Sequence, residues 1–107
     1  MQVLFGQVFK DDKDEQALVG GKPFTLRDAA KQALILTYGD EQNLPAEEKV
    51  KRYDLYLKVK EATDPAELTV EDVALVKKVI GKAYAVLTVG QAFRMLEGKT
   101  DDPVAVK

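Results

Sequence analysis

The chain has no cysteine and no histidine in its 107 residues. Without cysteine there are no disulfides, no thiolate-held iron-sulfur clusters and no thiol nucleophile. Without histidine the commonest general base and the commonest metal ligand are missing. A polybasic block is lacking too: 16 basic residues stand against 18 acidic ones, for a net charge of −2. That balance disfavours binding that tracks phosphates or anionic lipid. No apolar run approaches the length of a bilayer span, and MQVLFGQVFKDD has neither the basic leader nor the apolar core of a signal peptide. The sequence therefore predicts a single cytoplasmic domain with no membrane contact and no cofactor.

What is present is a phrase written three times. FTLRDAA (24–30), LTVEDVA (68–74) and LTVGQAF (87–93) each place an apolar residue before Thr and an Asp or Gln three residues after it. A Thr accepting from the third helical amide, with an acid or amide reaching back, is a capping box, and the flanking apolar pair can form a hydrophobic staple. The phrase predicts helices over 26–38, 69–86 and 89–97, stopped by Gly39, by a break before Thr88 and by Gly98. A further helix over 45–62 is predicted from Pro45, from Glu47 and Glu48 at the positive end of the dipole, and from Asp64-Pro65 as a stop.

Ahead of the helices, QVLFGQVF alternates Val3, Phe5 and Phe9 against Leu4 and Val8, the period of a strand over residues 2–9. DDKDEQ turns the chain and GGKP turns it again, so residues 1–23 are expected to form a β-hairpin or extended arm. The fold class is thus mainly α (α+β): four helices with an amino-terminal β-hairpin or arm, compact over 1–98, with a flexible tail over 99–107.

Periodicity also marks apolar residues that one core does not absorb. On the 69–86 helix Val73, Val76, Ile80, Ala83 and Leu87 share a broad face, with Val79 beside them. On the 45–62 helix Val50, Tyr53 and Leu57 read as the inward stripe, which leaves Leu55 and Val59 on the reverse side. Ile35 is similarly outward on the first helix. Either the strands or the tail cover these three within the monomer, which is the favoured reading, or Ile35, Leu55 and Val59 mark a contact with another chain.

Other chemistry finds little to stand on. Asp12, Asp14 and Gln16 alternate as calcium-loop ligands do, but Ala17 and Pro23 occupy the places of the required Gly and bidentate Glu. Gly20-Gly21-Lys22 lacks both the upstream Gly and the Ser or Thr of a phosphate loop. The carboxylate pairs Glu47/Glu48, Glu71/Asp72 and Asp101/Asp102 fit helix starts or the tail better than acid-base work, so an enzymatic role is disfavoured. Lys77, Lys78 and Lys82 form a basic strip, read as a solvated face in preference to a nucleic-acid groove.

The stretches TLRDAAKQALI, EEKVKRYDLYLKV and LTVEDVALVKKVIGKAYAVLTVGQAFRMLEG resemble a set of small bacteriophage and prophage proteins, over most of the chain and best in the last block. Those proteins have no assigned activity, so the resemblance brings no site residue with it. It implies a phage-encoded protein in the infected bacterial cytosol, or one used in particle assembly. The expected function is non-enzymatic: an accessory protein that binds a host or phage protein and modulates it as an inhibitor or adaptor. A self-associating virion or assembly protein is the alternative, and a nucleic-acid-associated module using the basic strip is the weaker one.

Overall fold

Two of the three repeated phrases start helices with the capping box intact. Thr25 and Thr69 sit at the N-caps of α1 (Leu26–Ile35) and α3 (Val70–Ala83). The Asp28 amide donates to Thr25 Oγ1 at 3.3 Å and the Asp72 amide to Thr69 Oγ1 at 3.0 Å, while each Asp carboxylate accepts the Thr backbone N–H at 3.2 Å. The third phrase does something else. α4 (Val86–Leu96) begins two residues ahead of Thr88, with Ala85 at an N-cap that has no side-chain bond. The break comes early because Tyr84 and Ala85 are both extended. Gln91, the residue placed to complete the box, turns instead to Lys10: its Oε1 accepts the Lys10 amide at 2.8 Å and its Nε2 donates to the Lys10 carbonyl at 2.9 Å.

The structure, a computed structural model, describes residues 1–98, so the tail expected over 99–107 lies outside the described residues. The architecture is mainly α, four helices with a small β part. α2 (Ala46–Glu61) runs within one residue of its expected span at each end. α1 ends three residues short of expectation, because Leu36 turns extended and Tyr38 folds back to donate its hydroxyl to the Ala33 carbonyl at 2.7 Å. That carbonyl is one of the four that a helix end leaves without an intrahelical partner. Gly39–Glu41 then forms one turn of 3-10 helix rather than a simple stop.

The strand expected over 2–9 is cut short. β1 (Gln2–Val3) pairs antiparallel with β4 (Ala66–Glu67), Val3 opposite Ala66, and the chain turns at Phe5 and Gly6. The Asp64 carboxylate holds that turn by accepting the Phe5 and Gly6 amides, each at 2.8 Å. A hairpin does form, from β2 (Leu18–Val19) and β3 (Lys22–Pro23). Its loop residues Gly20 and Gly21 have φ of 60° and 81°, the left-handed values that a two-residue turn of matching twist requires. The acidic stretch before it is a turn bonded to itself, Asp11 Oδ1 accepting the Lys13 and Glu15 amides at 2.9 Å.

The core lies where α1 packs on α2 and α3, closed by Phe5 and Phe9 from the amino-terminal segment and Leu96 from α4. Ala29, Ala30 and Ala33 are all buried on α1, and their small side chains let the neighbouring helices approach closely. On α3 the expected face holds for Val73, Val76, Val79 and Ile80, but Leu87 belongs to α4 and is exposed.

α2 is rotated relative to the sequence reading. Leu55 and Val59 are 4% and 0% exposed, whereas Val50 and Tyr53 are 57% and 56% exposed. The buried stripe is Arg52, Leu55 and Val59, at i, i+3 and i+7, and the charged residue in it disguises the inward face. Leu55 and Val59 are therefore core residues, and neither is available as a contact with another chain.

Candidate functional site

The 36–45 connection between α1 and α2 is held down by charge. Both guanidinium Nη atoms of Arg52 donate to the two carboxylate oxygens of Glu41 at 2.7 Å, a bidentate pair with both side chains under a tenth exposed. Lys82 reaches over from α3 to Glu41 at 2.8 Å and Asp40 at 3.0 Å, and Lys78 stands 3.8 Å from Glu41. The Arg52 bonds first, then that of Lys82, draw the Glu41 carboxyl down to about 2 from an ordinary 4.5. Arg52 is raised in turn, chiefly by its bond to Glu41. Burial raises the Tyr38 hydroxyl against the pull of Arg52, and the ring lies 5.7 Å from Lys82 Nζ.

This network accounts for the basic strip. Lys77 pairs with Glu97 at 2.7 Å and stands 5.4 Å from the Phe93 ring, while Lys78 and Lys82 serve Glu41. All three cations predicted to form the strip are thus engaged within the fold, and no row of free positive charge runs along α3.

Two cavities adjoin at Ile35, one of them on the pinned loop. One, of about 320 Å³, lies between the end of α1, the 36–45 connection and α2, with Leu36, Leu44, Lys49 and Tyr53 in its walls. The other, of about 740 Å³, lies between the β2–β3 hairpin, α1 and α2, walled by Val19, Phe24, Lys31, Tyr56 and Tyr84. Ile35 lines both, and the stacked rings of Tyr53 and Tyr56, 6.1 Å between centroids, stand one in each. The floor of the larger cavity is aromatic: Phe24 stacks on the buried Phe9 at 4.9 Å and meets Tyr84 at 5.9 Å. Burial raises the Tyr84 hydroxyl above its ordinary value.

No family model matches the chain, and neither a curated protein nor a solved structure does.

Of the three residues singled out for contact with another chain, the structure keeps Ile35 at the surface, 54% exposed, and buries the other two. Around Ile35 it gathers Val19, Leu36 and Tyr53, exposed apolar residues that sequence reasoning did not connect. The misplaced α2 stripe hides Tyr53, and the reading of 1–23 as a hairpin or arm gives Val19 no neighbour. The signal that could have found them is Arg52: once it is read as buried, α2 turns and Tyr53 moves outward. Among the described residues there is no group of three or more acidic side chains suited to a metal ion.

Proposed function

We propose that the protein acts by binding another protein along the groove that runs from the hairpin past Ile35 to Tyr53. The observation that carries this reading is the gathering of Val19, Ile35, Leu36 and Tyr53 at the surface around two cavities that meet at one residue. Exposed apolar groups scattered singly need no explanation, but a contiguous set around a concave surface marks a contact site. The buried ion pair beneath supports it, because a preformed loop loses less entropy on binding than a mobile one. The bacteriophage resemblance supplies the setting: an accessory protein that docks on a host or phage protein and modulates it.

Self-association, the alternative, has less to rest on. Leu55 and Val59 are in the core, and the first strand is already paired with residues 66–67. A nucleic-acid role through Lys77, Lys78 and Lys82 meets cations that already have partners.

The test is site-specific photo-crosslinking in bacterial lysate, with the reactive residue at position 35 and a control at position 12. A protein adduct formed from position 35 alone, and lost with Tyr53→Asp in a protein of unchanged melting temperature, is the expected result. Equal adducts from both positions, or none, would overturn the reading; a homodimer adduct would move it to self-association.

A further inference from the structure

The groove reverses the charge of the molecule that carries it. Although the chain has a net charge of −2, four basic side chains and two acidic ones line the two cavities. Glu41 and Arg52 cancel as a pair, and Asp28 serves the Thr25 cap, which leaves three lysines against one carboxylate. Lys22, Lys31 and Lys49 differ from the lysines of α3 in having no carboxylate partner among the described residues. They stand on three elements, β3, α1 and α2, so they border the apolar floor from different sides.

Resting on the protein-binding reading, we infer that the groove receives an acidic amphipathic segment of its partner. The segment's apolar side chains would seat against Ile35 and Tyr53 while its carboxylates face Lys22, Lys31 and Lys49. Complementary rim charge of this kind steers encounter and rejects segments of the opposite sign. A nucleic acid fits less well. A phosphate backbone needs a continuous row of cations, whereas these lysines are separated by Val19, Ile35 and Leu36 on a molecule of negative net charge.

A random peptide library displayed on yeast, sorted against the intact protein, tests this without prior choice of a ligand. Enrichment of clones that combine Asp or Glu with Leu, Phe or Trp is expected. Their affinity should fall about tenfold in the Lys22→Glu/Lys31→Glu/Lys49→Glu variant and about tenfold with Ile35→Asp, with the helical signal of both variants unchanged. The charge-reversed variant should in turn enrich Lys- and Arg-bearing clones. Clones that depend on Ile35 but show no acidic bias would overturn the partner chemistry and leave the protein-binding groove standing. Clones indifferent to Ile35 would overturn both. Tight binding of a labelled oligothymidylate, with no acidic clones enriched, would overturn the inference in favour of single-stranded nucleic acid.

Discussion

Arg52 and Glu41, eleven positions apart in the chain, meet fork to fork with both N···O distances at 2.7 Å. The contact fixes the rotation of α2, because Arg52 can reach Glu41 only from the face that also carries Leu55 and Val59 inward. Removing Glu41 leaves the buried Arg52 guanidinium without its carboxylate, whereas removing Arg52 leaves Glu41 its bond to Lys82 at 2.8 Å. Glu41→Gln should therefore destabilise the protein by about 3 kcal/mol, and Arg52→Met by less, because Lys82 still neutralises Glu41. Replacing both with apolar residues of like volume should cost much less than the two single changes together, since no unpaired charge is left buried. Urea denaturation of the four-protein cycle measures this, and additive costs would mean that the pair contributes no coupling.

The same pair sets an acid limit. Glu41 is depressed to about 2 from an ordinary 4.5, so its contribution is complete above about pH 4.5 and is lost as pH falls through 2. Asp72 adds to the trend: burial pushes its carboxyl up, but the bonds from Lys58 and Thr69 outweigh that and leave it below its ordinary value. The urea midpoint should fall steadily over this window in the wild-type protein. Glu41→Gln should start lower and fall less steeply, keeping the part due to Asp72; parallel slopes would remove Glu41 from the account.

A sharper comparison separates the three copies of the helix-start phrase. Thr69→Ala should cost about 1 kcal/mol, because the Asp72 amide loses its acceptor at the N-cap of α3. Thr88→Ala should stay within about 0.5 kcal/mol, since Thr88 lies inside the first turn of α4 and Ala85 takes the cap. Equal losses in thermal denaturation would restore Thr88 as a cap.

The capping phrases were legible because a helix start is written in local residues that bond to one another. Three helices follow from them, and α2 from its flanking prolines. What the sequence concealed depends on distant partners. Gln91 bonds to Lys10 rather than to the Thr88 amide, Asp64 turns the chain at Gly6 and ends the first strand, and Glu41 draws Arg52 inward. Periodicity counts Arg52 as a solvent residue, so α2 is read with its faces exchanged, and of the three contact candidates only Ile35 stands at the surface, uncovered by the strands expected to shield it.

That exchange gives a direct check on which residues are available. Leu55→Ala should cost about 3 kcal/mol through lost burial and the space left behind. Ile35→Ala should change stability by no more than about 0.5 kcal/mol, because its side chain stands largely in solvent. Comparable losses at both positions in chemical denaturation would place Ile35 in the core and remove the floor of the proposed groove.

Gly6 and Asp64 should reverse each other's effect. A Cβ at Gly6 would meet Asp64 Oδ2 at 2.6 Å, the oxygen that accepts the Gly6 amide. Asp64 cannot yield without giving up that bond and straining the one to Phe5, so Gly6→Ala should destabilise by about 1–2 kcal/mol. Asp64→Ala should cost about 2 kcal/mol by leaving the two amides without their acceptor. With the carboxylate gone nothing crowds position 6, and Gly6 is not among the positive-φ glycines, so alanine fits the backbone there. In the Asp64→Ala background the same Gly6→Ala change should therefore stabilise by about 0.4–1 kcal/mol, because alanine has fewer unfolded conformations to lose. A change of sign between the two backgrounds assigns the glycine requirement to the carboxylate, whereas a loss of equal size in both would assign it to the turn itself.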